Sequence, residues 1–441
     1  MGSTIGEILL GVAGIDIGKD SNFVAVRDET VRQFSTMTCG VKALAEYLSS
    51  CGVRRVCMES TGVYWVALYD YLDTAGFDVT LFNGTFARNV PGRKTDVQDC
   101  QWHAMLHSMG LLKKSFIPGD ELRKLRGVVR DRGGLVQDKS SCLLQMQKAL
   151  DLMNIRFHSV ISQLEGKSGM AMVEAILKGE RDPHRLLALC HVSIREKKAE
   201  QILESLEGSW DEGHLFSLEL AYQHYQNILQ LIRRCDSRIE QLLSQMTEGK
   251  EEYTSTVKSY SSHNTPQVPG LKDALATLCG GVETISLPGI GANQGLQILA
   301  ETGADLSHWK TCKEFTAWLT LAPGNHQSGK KRRRPPKRKG SRAGQLFRAA
   351  AMNVAGSKTA LGAFHRRIKG RRGPAVAHKA TARKIAEAYY NLLTKGSDYV
   401  EQGEKKYQEQ YLQNRLKMLK RHAKSMGVTL VNNDTGEMVT V

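Results

Sequence analysis

Four carboxylates in the first hundred residues have the chemistry and the spacing of a metal-dependent site that cuts phosphodiesters. Asp16 and Glu59 each close an apolar run, and Asp96 and Asp99 stand three residues apart at the start of a predicted helix. Two Mg²⁺ ions about 4 Å apart need hard oxygen ligands from several directions, and such a pair stabilises the attacking and departing oxygens of a phosphodiester. The four acids therefore predict a catalytic site that binds Mg²⁺ and acts on nucleic acid.

Each acid also has a structural explanation. An unpaired Asp16 inside the apolar run 8–17 would cost roughly several kcal/mol in a buried strand, so a structural role is the weaker interpretation there. Glu59 precedes Ser-Thr-Gly and could be a turn residue. Asp96 could be a helix N-cap, with Asp99 favouring the helix dipole. The order of strand, strand and helix contexts argues for one shared site.

The densest positive charge lies between two predicted helices in the C-terminal part of the chain. Its internal position favours phosphate contacts over a localisation tag. The predicted nucleic-acid contacts in this segment are Lys330, Lys331, Arg332, Arg333, Arg334, Lys337, Arg338 and Lys339. Just before them, Ser328 stands beside Gly329 in a polar stretch, where serine is usually only a turn residue. From chemistry alone, a turn residue is the favoured interpretation of Ser328.

Two weaker patterns also point to nucleic acid. Gly289 and Gly291 belong to an apolar-Pro-Gly-x-Gly turn, which resembles a helix-hairpin-helix motif and would offer backbone N–H groups to a phosphate. Any tight connection between helices uses Gly and Pro, but in a basic chain the nucleic-acid interpretation leads. Arg123 and Arg130 lie on the first long helix and are predicted to face nucleic acid, although a solvated charged face is the commoner explanation.

The elements that must position the acids alternate between strand and helix up to about residue 112. This alternation predicts an α/β layer with a mixed sheet. Together with the four acids, which are spaced as an RNase H-like (RuvC-like) domain would need them, it predicts such a domain over residues 1–115. Gly76 is a plausible cap between a helix and the strand that follows it. The predicted strands are 8–17, 23–26, 53–58 and 77–82, and the predicted helical stripe is Val41, Leu44, Ala45 and Leu48.

The rest of the chain is predicted to be mostly helical. A near-heptad seam on a helix from His214 to Met246 could pair two protomers or pack within one chain, with about equal support. The seam consists of Ile228, Ile232, Cys235, Ile239 and Leu242. The predicted divisions are a helical coiled-coil region at 116–246, a flexible linker at 247–270, a mostly α-helical C-terminal domain at 271–400, and a charged helix and tail at 401–441.

Composition agrees with a polyanionic partner. The 441 residues carry a net charge of +16, and the isoelectric point is about 9.4. No apolar stretch reaches the ~18 residues of a membrane span, and the N-terminus has no pattern of an export signal. His103 and His107 lack an H-E-x-x-H pattern, and the nine cysteines include no C-x-x-C pair, so we expect reduced thiols and no structural zinc.

Several of these motifs together resemble the DEDD-type insertion-sequence transposases, which are also called bridge-RNA-guided recombinases. The matching segments are Gly14-Ile15-Asp16-Ile17-Gly18-Lys19, Met58-Glu59-Ser60-Thr61-Gly62, Lys94-Thr95-Asp96 to Asp99, Leu287-Pro288-Gly289-Ile290-Gly291 and Leu321-Ala322-Pro323 to Ser328-Gly329. A middle stretch, 169–184, is similar to the long-form branch of that family. The resemblance thus covers nearly the whole chain.

The resemblance implies a RuvC-like domain with Asp16, Glu59, Asp96 and Asp99 as its acids, and a C-terminal transposase domain whose serine bonds covalently to DNA. Ser328 matches the family's Ser-Gly motif, and Ser341 is a less favoured substitute. It also implies double-stranded DNA and a structured guide RNA as partners, a dimer or tetramer, and a cytoplasmic bacterial protein that is associated with the nucleoid when active.

Three functions are consistent with these features. A recombinase would use Ser328 as nucleophile and the acids with Mg²⁺, and its active site could be shared between protomers. A hydrolytic RuvC-like junction nuclease would use the same acids with water and would not need the serine. A non-catalytic nucleic-acid-binding protein would use only the basic segments and would not depend on Asp16. The four acids and the resemblance favour the recombinase.

Overall fold

The computed structural model describes residues 9–27, 29–60, 62–84, 95–258, 264–323, 326–328, 331–333, 340–396, 403–431 and 438–439, with the backbone alone at 326–328, 331–333, 403–408 and 438–439. The chain divides into two compact units, Met1–Ile117 and Pro118–Val441. Within the described ranges, no helix is long and apolar enough to cross a membrane.

The first unit is built on a five-stranded mixed sheet, as the alternating pattern predicted. Its strands are β1 Val12–Ile17, β2 Ser21–Val26, β3 Arg32–Ser35, β4 Arg55–Glu59 and β5 Asp78–Phe82. Their order is β3-β2-β1-β4-β5, in which β1 to β3 pair antiparallel and β1, β4 and β5 pair parallel. The sequence prediction missed β3, a short strand with no fully buried residue.

Three helices cover this sheet: α1 Thr38–Ser50, α2 Trp65–Thr74 and α3 Asp96–Ser108. The predicted stripe on α1 is buried in the core with the inward residues of the strands. Gly76 follows α2 at φ +88°, a left-handed conformation that favours glycine, and this confirms the predicted cap.

Helix α3 packs directly on strand β1. A β-carbon at Gly14 would overlap the carbonyl oxygen of Cys100 and the nitrogen of Ala104, so only glycine permits this approach. At the other end of α3, the Leu9 N–H donates to the Ser108 carbonyl over 2.9 Å. The helix therefore runs antiparallel to β1, and its N-terminus lies toward the carboxyl end of the strand.

The second unit begins with two long helices that pack along each other. Its first six helices are α4 Asp120–Leu152, α5 Phe157–Val160, α6 Lys167–Leu177, α7 Pro183–Ala188, α8 Val192–Glu204 and α9 Glu212–Thr247. Ile228 and Ile232 of the predicted seam share one buried core with Cys142 and Met146 of α4. Packing within one chain thus accounts for this seam. The near-heptad period alone would suit a helix of the same chain and a helix of a second protomer equally.

The remaining helices form a second packed group in this unit. They are α10 Leu271–Leu278, α11 Ala292–Thr302, α12 Cys312–Trp318, α13 Arg342–Asn353, α14 Ala360–Arg372, α15 Pro374–Lys395 and α16 Gly403–Ser425, with short strands β6 His326–Ser328, β7 Lys331–Arg333, β8 Leu430–Val431 and β9 Met438–Val439. Phe315, Phe347 and Tyr389 join α12, α13 and α15 through ring contacts, 5.5 Å between centroids for Phe347 and Tyr389.

The stretch between α9 and α10 was predicted to be a flexible linker. Its described residues contain no helix or strand, but the Tyr253 N–H donates to Thr277 Oγ1 and the Gln267 N–H donates to Asp236 Oδ2. Residues 259–263 lie outside the described residues. These bonds connect the described part of the stretch to α10 and α9, and the flexible linker stays a prediction.

Candidate active site and nucleic-acid interface

The pairing of two parallel strands places Asp16 beside Glu59. Ile15 of β1 is in register with Met58 of β4, so the two acids are the next residues along each strand. Side chains alternate between the faces of a strand, and Gly14, two residues before Asp16, faces α3. Asp16 therefore lies on the face of the sheet that α3 covers.

Glu59 lies on the same face. Cys57, two residues before it, donates its Sγ–H to the carbonyl of His103 in α3 over 3.2 Å. Beyond the end of β4, a β-carbon at Gly84 would overlap the carboxylate oxygens of Glu59, so the acid lies directly against a bare glycine backbone. The glycine leaves the space that the carboxylate occupies.

Helix α3 supplies the other two acids from its first turn. Thr95 is the N-cap, and its Oγ1 accepts from the Gln98 N–H over 3.3 Å. Asp96 is thus not the N-cap that the sequence offered as an alternative, because the threonine before it takes that position. Asp96 and Asp99 are one turn apart at the end of the helix that lies toward β1.

Three of the acids act electrostatically on the fourth, Asp16. The pKa of Asp16 is raised from 3.8 to about 6, first by burial and then by repulsion from Asp96, Asp99 and Glu59. A hydrogen bond from the Ile17 backbone opposes the shift but does not cancel it. The acids predicted from the sequence therefore share one face of the first unit, and their charges are close enough to disfavour ionisation of Asp16.

Ser328, the predicted nucleophile, is the last residue of β6. It pairs antiparallel with Lys331 of β7, so the serine lies in a short hairpin with the first basic residues. The described part of this hairpin includes the backbone of Lys331, Arg332 and Arg333. The other predicted contacts in the segment, Lys330, Arg334, Lys337, Arg338 and Lys339, lie outside the described residues.

Ser341, the less favoured serine, has a structural role. Its hydroxyl accepts from the Gly344 N–H and donates to the Leu319 carbonyl, each over 3.0 Å. It is the N-cap of α13, and it ties that helix to the end of α12. Both hydrogen-bonding functions of the hydroxyl are therefore used within the fold.

The remaining predicted contacts have partners in the fold. Gly289 adopts φ +87° against α13, where a β-carbon would overlap the Ala350 carbonyl oxygen, and Gly291 is the N-cap of α11. Arg130 forms two hydrogen bonds of 2.8 Å with the carboxylate of Glu301. Arg123 lies 3.5 Å from Asp120. These contacts give Gly289 and Arg130 structural explanations beside the predicted contact with nucleic acid.

Sequence reasoning missed the residues that let the acids approach each other. Gly14 leaves space for α3 to approach β1, and Gly84 leaves space for the carboxylate of Glu59. Thr95 is the N-cap of α3. Thr95 could have been found, because a threonine followed by two acids within one turn is a helix start. The close approaches at the two glycines depend on contacts far apart in sequence and left no local pattern.

Comparison with protein families identifies the class. A transposase model for the DEDD domain of the IS110 type matches residues 13–155, which include all four acids. A second model, described as "Transposase IS116/IS110/IS902 family", matches residues 284–366, which include Ser328 and the basic hairpin. A comparison with curated proteins gives no match. The protein is a DNA transposase, an enzyme of strand recombination.

More narrowly, the chain belongs to the IS110 family of DEDD transposases. Nuclease-like domains of the DEDD type generally use divalent metal ions. Among the described residues, no three His, Cys, Asp or Glu side chains converge closely enough, in their present conformations, to hold an ion. The donor set nevertheless fits a hard cation, because it consists of carboxylate oxygens. Burial and then repulsion from the other three acids raise the pKa of Asp16, and a cation would offset that repulsion.

Proposed function

We propose that this transposase carries out RNA-guided, Mg²⁺-dependent cleavage and exchange of DNA strands through a covalent phosphoserine intermediate. The observation that carries the proposal is the shared position of Asp16 and Glu59 on the face of the sheet that α3 covers, with Asp96 and Asp99 at the start of that helix. The pKa of Asp16 is raised first by burial and then by the other three acids. Several carboxylates held close together repel one another, which costs folding free energy. Such groups with shifted pKa values are more common in active sites than in purely structural sites.

We assign the first unit to the RNase H-like, RuvC-like class. Three antiparallel strands followed by two parallel strands, in the order β3-β2-β1-β4-β5, is the arrangement expected of that class. Acids at the ends of the two central parallel strands and at the start of a helix across them are consistent with it. The assignment makes Asp16, Glu59, Asp96 and Asp99 the metal ligands.

When bound to these acids, Mg²⁺ would supply Lewis-acid stabilisation of charge on the scissile phosphate. The chain's own contribution is positional. Strand register fixes Asp16 beside Glu59, and the N-cap Thr95 fixes the start of α3, so the carboxylates approach from separate rigid elements. Such placement reduces the reorganisation required when the substrate arrives.

Ser328 is the proposed nucleophile. Its Oγ attacks the phosphorus of the scissile phosphodiester and loses its proton, while the bond from phosphorus to the 3′ oxygen breaks and that oxygen gains a proton. The products are a phosphoserine ester and a free 3′-hydroxyl. The ester conserves the energy of the broken bond, so attack by the 3′-hydroxyl of another strand restores the DNA without ATP.

The contrast with Ser341 supports this choice. The Ser341 hydroxyl already accepts one hydrogen bond and donates another, at the N-cap of α13. Using it as a nucleophile would require breaking both bonds and uncapping the helix. Ser328 lies instead in the hairpin that also contains Lys331, Arg332 and Arg333, where a polyanion would be concentrated.

The proposed partners are double-stranded DNA at the element ends and the target, together with a structured RNA. The family resemblance suggests the RNA, and the chain's net charge of +16 is consistent with a protein that holds nucleic acid while base pairing selects its sequence. We also propose a homo-oligomer, a dimer or tetramer, in which the acids and Ser328 of different protomers cooperate.

A covalent adduct provides the test. Purified protein is mixed with the RNA transcribed from its flanking DNA, Mg²⁺ and labelled element-end DNA, and SDS-resistant protein–DNA species are measured. We expect an adduct with the wild type and with Ser341→Ala, and none with Ser328→Ala. Cleaved DNA without an adduct would instead identify a hydrolytic junction nuclease. DNA binding that needs neither Mg²⁺ nor Asp16, with no cleavage, would identify a non-catalytic binder.

A further inference from the structure

Helices α4, α11 and α13 of the second unit enclose a cleft of about 300 Å³. The cleft has polar walls but also carries the apolar side chains of Val129, Val136 and Leu346. Its volume is at the lower end of the range for sites that bind small organic groups. Walls of this mixed kind suit a flat ring with polar edges better than an ion or an aliphatic chain.

Two amide side chains from α11 face the cleft with unused hydrogen-bonding groups. Gln297 Nε2 donates to Asn293 Oδ1 over 3.4 Å, one turn away. Among the described residues, Asn293 Nδ2 and Gln297 Oε1 have no partner, which leaves a donor next to an acceptor. A donor beside an acceptor is what the edge of a nucleobase pairs with.

A paired acid and arginine keep this wall in place. Arg130 of α4 binds both carboxylate oxygens of Glu301, and Arg126 donates to the carbonyls of Ala300 and Glu301 over 2.9 and 2.8 Å. These four bonds join α4 to the C-terminal end of α11. They also neutralise the carboxylate of Glu301, so it does not repel an anionic ligand.

Arg342 provides an unpaired positive charge at the same cleft. It is the first residue of α13, it is exposed, and it has no hydrogen bond or ion pair with the described residues. Ser341, directly before it, ties this end of α13 to Leu319, so the arginine has a fixed base. In the sequence, Arg342 follows closely after the basic segment 330–339, which is the proposed nucleic-acid contact.

From these features we infer that the cleft binds one unpaired nucleotide of the nucleic-acid partner. The base lies between the apolar side chains, its edge pairs with Asn293 and Gln297, and its phosphate contacts Arg342. The inference rests on the proposed function for the class of partner, and it adds a site that recognises a base as well as the backbone. Strand exchange exposes unpaired nucleotides in DNA, and RNA loops contain them, so either nucleic acid could supply the base.

The test uses the full-length protein and single-stranded oligonucleotides of about 12 nucleotides, a length that one site can cover. Each is made as DNA and as RNA, with and without abasic positions at its centre, and binding is measured by fluorescence anisotropy. We expect removal of the bases to weaken binding to the wild type about tenfold, as for one good amide-to-base pair. The nucleic acid that shows this loss supplies the base.

The double variant Asn293→Leu/Gln297→Leu should bind normal and abasic oligonucleotides equally. Arg342→Gln should weaken both to the same extent, whereas the matched charge control Lys358→Gln, on an exposed residue after α13, should change neither. If the double variant misfolds, a 4-thiouracil-containing oligonucleotide crosslinked to the wild type should map to α4, α11 or α13.

Two results would overturn the inference. A wild type that binds normal and abasic oligonucleotides equally has no base site, although it could still be the proposed recombinase. Crosslinks confined to other helices would also exclude this cleft. A wild type that binds no oligonucleotide would contradict the nucleic-acid interface and the base site together, and the adduct measurement would show whether the recombinase proposal fails too.

Discussion

The acid-bearing face of the first unit and the basic hairpin of the second unit are built in different ways. Asp16 and Glu59 are fixed by the register of two parallel strands, and Asp96 by the start of a capped helix. Ser328 lies at the end of a three-residue strand that pairs with one other short strand. The four acids are therefore placed by a five-stranded sheet and a helix packed on it, whereas the proposed nucleophile belongs to a two-stranded pairing.

The two regions also differ in the sign of their charge. In a chain with a net charge of +16, the four acids form a local negative site, and this negative charge contributes to the raised pKa of Asp16. The hairpin segment instead gathers lysine and arginine. Nucleic acid would be attracted to the hairpin and repelled by bare acids, so a divalent cation at the acids would remove the repulsion there.

The largest expected effect comes from removing a charge at the acid-bearing face. Asp16→Asn should lower the rate of DNA cleavage by about 10³-fold or more, because a metal ligand and its charge stabilisation are both lost. Binding of DNA should persist, since the basic segments are unchanged. The measurement is adduct formation with time beside a binding titration. Asp20→Asn, an exposed acid just after β1, is the matched control and should retain activity.

Retention of wild-type cleavage by Asp16→Asn would break the comparison, because the acids would then be structural. Loss of cleavage in Asp20→Asn as well would mean that activity follows the general charge of this edge of the sheet. Either result would remove the distinction between a fixed acid site and the rest of the first unit.

The next effect is on the packing that brings the acids together. Gly14→Ala should destabilise the first unit by about 2–3 kcal/mol, since its β-carbon would overlap backbone atoms of α3 that cannot move independently. In Gly134→Ala, on α4, the β-carbon meets nothing within 4 Å, so this change should stabilise its helix by about 0.5–1 kcal/mol. Thermal unfolding of the two variants provides the comparison, and equal effects would show that α3 does not depend on this contact.

A smaller effect should appear in stability as a function of pH. The pKa of Asp16 in the folded protein, about 6, lies above its ordinary value of 3.8, so folding favours the protonated form and the ionised form is the costly one. In metal-free buffer above pH 6, Asp16→Asn should therefore be more stable than the wild type. The gain should be about 1–2 kcal/mol once screening by solvent is allowed for.

This gain should shrink as the pH falls from about 6 and vanish below about 4, where the wild-type aspartic acid is protonated in both states. Chemical unfolding at several pH values measures it. Added Mg²⁺ should stabilise the wild type at neutral pH and have a smaller effect on the variant, since a ligand that binds only the folded state raises its stability. A pH-independent difference would mean that burial and the neighbouring acids do not raise the pKa of Asp16.

The same contrast explains what could be predicted from the sequence. The strands that carry Asp16 and Glu59 at or next to their ends were recognisable, because an acid at the end of an apolar run is a local pattern. The stripe Val41 to Leu48 likewise follows one helical face. The position of the acids on one face depends on register and on contacts such as Gly14 with Cys100, which are distant in sequence and left no local pattern.

The C-terminal part was harder to predict. Ser328 has no periodic pattern around it, and only the family resemblance distinguished it from a turn residue. Arg130 pairs with Glu301, which lies 171 residues further along the chain. No sequence pattern near either residue could therefore predict the pairing. The seam on α9 has a period that suits packing within one chain and pairing of two protomers equally. Only the buried core that it forms with α4 distinguishes the two possibilities.

The smallest expected change in stability separates the two serines. Ser341→Ala should destabilise the second unit by about 1 kcal/mol, because the N–H of Gly344 and the carbonyl of Leu319 lose their hydroxyl partner. Ser341→Asp should recover part of this loss, since aspartate also caps a helix. Ser328→Ala should leave thermal stability unchanged yet abolish the adduct, whereas Ser341→Ala should retain it. If Ser341→Ala instead lost the adduct at unchanged stability, the capping serine would be the nucleophile, and the hairpin would serve only to hold the DNA.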